Sequence, residues 1–190
     1  MLTWFFLSGC STNDDDDWSN PRGLYKTGDP LDERKLMSYY YATEEDAAFA
    51  FGYVYGGRTD REYGTQIIRD SSTGYYSLGA LCLGKEVAKL RSGELPSVYI
   101  PKVAGQTASV HTHTNSTTGH PFSNDDVNMD RNDHVNGYVI HDNRKVYKST
   151  YESVSNSMKG KDGKGSAYEP EDTYLGETAN WYNGEYHFKK

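Results

Sequence analysis

Between Thr43 and Tyr151 the apolar positions change their period several times, and each change marks an element. In TEEDAAFAFGYVYGG, Thr43 and Asp46 are spaced like a capping box, Glu44 and Glu45 fall in the first turn, and Gly56-Gly57 closes the run. That pattern predicts a short helix with Ala47, Ala50, Phe51 and Val54 as its buried face. REYGTQIIRDSSTGYYSLGALCLG is two apolar runs split by Ser71-Ser72-Thr73-Gly74, which predicts a β-hairpin with Glu62 at its entrance. A short helical stretch over Lys85 to Arg91 and a strand in PSVYIP follow. GQTASVHTHT has the small and β-branched residues of another strand, and Ser123-Asn124-Asp125-Asp126 has the letters of a helix start with Ser123 as N-cap. GYVIHDNRKVYKS predicts a second hairpin turning at Asp142-Asn143, with Tyr138, Val139, Ile140 and Val146 in the core.

The order helix, hairpin, short helix, strand, helix, hairpin predicts an α/β or α+β sandwich of modest size. At 190 residues the chain fits one domain with a sizeable core. Hydrophobic content is 35%, but 17 tyrosines lift the aromatic share to 14%, which favours half-buried strands over an aliphatic helical bundle. Residues 11–42 carry Asp, Pro, Gly and Tyr without a period and are expected to be an acidic tether and approach segment, with order beginning at Thr43. Residues 152–190 are expected to form a polar, partly ordered tail. A net charge of −7, part of it in Asp14 to Asp17, removes any general attraction to nucleic-acid phosphate. Cys10 and Cys82 lie in unlike contexts, so no disulfide is expected, and Cys82 reads as a small buried hydrophobe.

The first ten residues end in Leu7-Ser8-Gly9-Cys10 after an apolar run, which resembles the lipobox of bacterial lipoproteins. That resemblance implies a lipid on Cys10 and a place at the cell envelope, anchored or secreted. No Lys or Arg precedes the run, which is also shorter than the roughly 15–30 residues of a secretory signal; without a working leader the compartment is cytoplasmic. No other run approaches transmembrane length.

Three of the six histidines fall inside ten residues, at His111, His113 and His120. In a strand, residues two apart project from one face with Cα atoms roughly 6–7 Å apart, so His111 and His113 form a workable bite for a metal ion. A catalytic zinc takes three protein ligands and one open position, commonly two imidazoles and a carboxylate. Asp126, on the first turn of the following helix, is the natural third ligand, and Ser123 shares that turn. A hydrolase also needs a base to take a proton from water and return it to the leaving group, and Glu62 is the candidate. His120, His134 and His141 are expected to be solvated loop histidines.

The ordered set Glu62, His111-Thr112-His113 and Ser123-Asn124-Asp125-Asp126 resembles the JAMM motif of the JAB/MPN superfamily of zinc metalloproteases. Glu62-Tyr63-Gly64, VHTHTN, PFSNDDV and GYVIHDNRKVYK are similar to a bacterial branch of uncharacterised domains found at the C-termini of Rhs-type and other polymorphic-toxin proteins, over about Thr43 to Tyr151. The resemblance implies a cytidine-deaminase-like small mixed sheet flanked by helices. It implies zinc on His111, His113 and Asp126, Glu62 as general acid and base, Ser123 stabilising an oxyanion, and hydrolysis of an amide or isopeptide bond in a peptide or protein. Thr114 stands where a proline often follows the second histidine, and twelve residues separate His113 from Asp126, which makes Asp125 a rival ligand; the family spacing Ser-x-x-Asp favours Asp126. The superfamily also contains metal-free scaffolds, and the branch suggests a toxin effector. A (β/α)8 barrel with His-x-His is excluded, since it takes roughly 250 residues.

Overall fold

The computed structural model describes residues 36–114, 121–141, 143–152 and 173–178. Within them an eight-stranded sheet runs in the order β1 (Tyr40–Tyr41), β3 (Tyr76–Leu78), β2 (Tyr63–Arg69), β5 (Gln106–Thr112), β6 (Asn136–Ile140), β7 (Lys145–Ser149), β8 (Thr173–Glu177), with β4 (Cys82–Leu83) paired to the start of β2. Every pairing is antiparallel except β5 with β6, which helix α2 (Asn124–Asp133) connects. Helix α1 (Glu44–Tyr55) precedes β2. The result is a mixed α+β fold with two helices among the described residues.

Both predicted hairpins form, β2 with β3 and β6 with β7. The first turn is held by Asp70, whose Oδ1 accepts from Ser72 N at 2.7 Å and Thr73 N at 3.2 Å, before Gly74 at φ 78. Thr43 caps α1 by accepting from Asp46 N at 3.0 Å. The helix is buried nearly all round, through Ala47, Ala48, Phe49, Ala50, Phe51, Gly52 and Tyr55, while Val54 is only half-buried. A single apolar stripe was therefore too narrow an expectation. Leu36 and Tyr41 join the same core, so order begins before Thr43 and α1 is covered from more than one side.

Three further expectations are corrected. PSVYIP is not a strand: prolines at both ends remove N–H donors, Tyr99 is 79% exposed, and Ile100 packs over Gly64 as a strap. The stretch from Lys85 to Arg91 holds only one 3-10 turn, Val87–Lys89. Cys82 is half-buried, because β4 is two residues long and pairs only at the sheet's margin. From the polar tail, Thr173–Glu177 adds β8 against β7. The leader with Cys10, the tether up to residue 35, His120 and Asp142 lie outside the described residues.

The alternation of side chains along the central strands sorts the sheet into two faces. Ala108, Val110, Tyr138, Ile140 and Val146 lie on one, in the core shared with α1. Ser109, His111, Gly137, Val139 and Tyr147 lie on the other, where Phe122, just before α2, and Val127 of α2 pack.

Candidate metal centre

The centre lies at the carboxyl ends of β5 and β6, the one parallel pair, where the chain leaves the sheet for α2. Open α/β sheets place ligands at such ends. Strand β5 stops at Thr112, but His113 N donates to Ile140 O at 2.8 Å, so His113 continues the ladder and stays beside His111. Ser123 accepts from Asp126 N at 3.2 Å while its own N donates to Asp126 Oδ2 at 2.7 Å. This reciprocal capping box fixes Asp126 at the mouth of α2.

The three side chains converge. His111 Nε2 stands 3.1 Å from His113 Nε2 and 3.1 Å from Asp126 Oδ1, and His113 Nε2 is 3.3 Å from Asp126 Oδ2. Bonds of about 2.0–2.1 Å in a tetrahedron separate neighbouring ligand atoms by about 3.3 Å, so the donor set fits one metal ion of that size. Among the described residues this is the group of three or more such side chains able to hold a metal ion. Asp125 is exposed and is not among the three converging side chains.

Glu62 is brought to the same place. The pairing of Gly64 with His111 puts Glu62 on the polar face, opposite His113 by continuation of the antiparallel ladder. Its backbone is held on both sides, Glu62 O accepting from Gly84 N at 2.8 Å and Tyr63 N donating to Thr112 Oγ1 at 3.0 Å. Burial raises the pKa of its carboxyl above the ordinary value and Asp126 adds to the rise, while His111 and His113 pull against it.

Burial also opposes a charge on His111, yet the carboxylate of Asp126, by charge and hydrogen bond, and Glu62 behind it push the ring up to about 9. Burial works against ionised Asp126 too, but His111 and His113 outweigh it and hold its carboxyl well below the usual range. Without a metal the core of the centre is thus an imidazolium–carboxylate pair. Ser123 is exposed, and its cap uses the hydroxyl oxygen as acceptor, so the hydroxyl hydrogen is not consumed by the helix.

Two side chains at the centre went unrecognised in the sequence. His141 is buried, not solvated: its ring lies edge-on to His113 at 5.5 Å and to Tyr147 at 5.2 Å, and its Nε2 donates to Pro121 O at 3.3 Å. The signal was the alternation Gly137, Val139, His141, which carries the third residue to the polar face. His134 is exposed, in the left-handed C-cap of α2 with its ring against Tyr151. Asp130, one turn after Asp126, is 2% exposed, and burial drives its carboxyl up to about 8 despite the hydrogen bond from Ser109. No helix among the described residues is long and apolar enough to cross a membrane. Compared with protein-family models, curated proteins and solved structures, the chain matches none.

Proposed function

We propose that this chain is a zinc-dependent metallopeptidase or amidohydrolase of the JAMM type, with the JAB/MPN-like variant of the α+β fold. One observation carries the reading: Nε2 of His111, Nε2 of His113 and the Asp126 carboxylate meet within 3.3 Å, with buried Glu62 in their field. The crossover from β5 through α2 to β6, with α1 on the opposite face, supports the fold assignment.

His111, His113 and Asp126 would hold the ion, leaving a side open. Zinc bound there supplies a Lewis acid for the scissile carbonyl and lowers the pKa of water toward roughly 7. Glu62 accepts the proton of the attacking water and returns it to the leaving amine, a double duty suited to a carboxyl whose pKa burial has raised. Ser123 offers its hydroxyl hydrogen to the developing oxyanion, beside the N-terminal end of α2, whose backbone N–H groups favour negative charge. Asp126 is kept in register by the same capping box, so one local motif serves both the fold and the centre.

The substrate is a peptide or protein amide or isopeptide bond, and a lipidated Cys10 would place the reaction at the envelope. Zinc competition titration and cleavage of a fluorogenic peptide and isopeptide panel test this reading. Wild type binds one zinc, His111→Ala with His113→Ala binds none, and Glu62→Gln binds zinc but loses about 10²–10⁴-fold in turnover. A wild-type chain that takes up no stoichiometric zinc ends the proposal.

A further inference from the structure

Beside Asp126 and Glu62 the polar face carries a third carboxyl, which the proposed chemistry leaves unused. Asp130 follows Asp126 by one helical turn, and Ser109 precedes His111 by one pleat of β5. Four helical residues advance about 6 Å and two strand residues about 6.7 Å. With α2 running back along β5, the contacts Asp126 to His111 and Asp130 to Ser109 therefore repeat in step. Asp130 Oδ1 accepts from Ser109 Oγ at 2.5 Å. Its Oδ2 lies 2.0 Å from the point where a Cβ on Gly137 would stand, so glycine is what lets the carboxyl settle against β6.

Two buried polar atoms without a hydrogen-bond partner among the described residues belong to this pair of layers: Nδ1 of His111 and Oδ2 of Asp130. The Nε2 edge of His111 is committed to Asp126 and His113. When Nε2 is the ligand, Nδ1 must carry the ring hydrogen, which makes it a buried donor; the unpaired Asp130 oxygen is a buried acceptor once that carboxyl is ionised. Leaving both unmatched is costly, and metal-bound imidazoles ordinarily pass that hydrogen to a carboxylate, carbonyl or water. The two atoms make no direct hydrogen bond to each other, and a buried water is held by two or more polar partners of this kind.

We propose that Asp130 is a positioning residue for the metal centre, accepting through one bound water the hydrogen on His111 Nδ1 and so fixing the ring with Nε2 toward Asp126 and His113. The role in metal binding rests on the zinc reading above; the hydrogen-bonded bridge does not. Asp130→Asn isolates it, since the amide keeps the shape and an oxygen for Ser109 while replacing the second acceptor with a donor.

The test combines zinc competition titration with histidine-selective ¹H–¹⁵N NMR on the metal-free and zinc-loaded chain, in wild type, Asp130→Asn and Ser109→Ala. The expected result is a fall of about 10–100-fold in zinc affinity for Asp130→Asn, with His111 Nδ1–H shifted and exchanging faster, and a change under about threefold for Ser109→Ala. Zinc affinity in Asp130→Asn within about twofold of wild type overturns the positioning role, whatever the ring spectrum does. If the wild type takes up no zinc, the zinc reading fails by itself. The metal-free spectrum then decides the bridge: an unchanged His111 ring in Asp130→Asn overturns it, and a shifted, faster-exchanging Nδ1–H supports it.

Discussion

The two faces of the central sheet are made by the same strands and differ in what their alternate residues do. On the α1 face Ala108, Val110, Tyr138, Ile140 and Val146 meet Ala47, Phe49, Phe51 and Tyr55 in a continuous apolar layer. A polar cluster at its edge is hydrogen-bonded: Glu44 Oε1 accepts from Tyr138 OH at 2.9 Å and Asn136 Nδ2 at 2.8 Å. On the α2 face the apolar layer shrinks to Phe122, Val127, Val139 and Tyr147, and the remaining positions hold Ser109, His111, Asp126, Asp130 and Glu62, all wholly or largely withdrawn from water. One side supplies stability, and the other spends part of it to keep ionisable groups close together.

The sharpest break between the faces comes from Phe51→Ala. Phe51 is fully buried with its ring tilted against that of Tyr55 at 4.8 Å, so its removal costs about 3–5 kcal/mol of unfolding free energy in chemical denaturation. Zinc affinity of the fraction still folded stays near wild type, because α1 contributes no residue to the centre. A Phe51→Ala chain that folds normally but loses zinc would erase the division.

The second effect is a pH dependence that belongs to the α2 face. Asp130, raised to about 8, Glu62, raised by burial, and His111, raised to about 9, all hold protons more tightly when folded than unfolded. Each such group stabilises the fold below its unfolded pKa and loses that contribution as pH climbs through the folded value. Asp126 works the other way: its folded pKa is depressed, so its contribution is present above the unfolded value of 3.8 and lost in acid. The metal-free chain should therefore be most stable in mild acid and weaken from about pH 5 to about pH 9. Zinc should reverse the slope, since it binds unprotonated imidazole and stabilises the fold in proportion to occupancy. Thermal or urea unfolding across that range, with and without zinc, checks both signs; a metal-free chain that gains stability toward pH 9 would contradict the charge arrangement.

What the sequence disclosed and what it hid follow the same division. The small and β-branched run around Ser109–Thr112, the apolar run Gly137–Ile140, and the caps at Thr43 and Ser123 are local signals, and the elements they announce are present. So is the meeting of His111 and His113 with Asp126, because a strand end and the next helix start are joined by a short crossover. Non-local pairing was invisible. β1 is two residues, β8 is the unremarkable TYLGE, and each becomes a strand only because a neighbour's edge accepts it. Asp130 was missed for a related reason: its partnership with Ser109 needs the step of a helix matched against the step of a strand, which no single segment displays.

The smallest effect compares the faces most directly, since each helix begins with one hydroxyl cap. Thr43 accepts from Asp46 N on α1, and Ser123 accepts from Asp126 N on α2, at 3.0 and 3.2 Å. Thr43→Ala and Ser123→Ala should each cost about 1 kcal/mol of stability, because each strands one helix N–H. Their consequences then diverge. Thr43→Ala leaves the centre alone, so turnover of the cleaved peptide stays within about twofold of wild type, whereas Ser123→Ala also removes the proposed oxyanion donor and should lower turnover about 10²-fold or more. Asp126 keeps its bond from Ser123 N in that variant, so zinc affinity should hold while kcat falls. Equal stability losses with equal, small kinetic losses would reduce Ser123 to a cap like Thr43, and the proposed oxyanion role would fall while the convergence of His111, His113 and Asp126 stood.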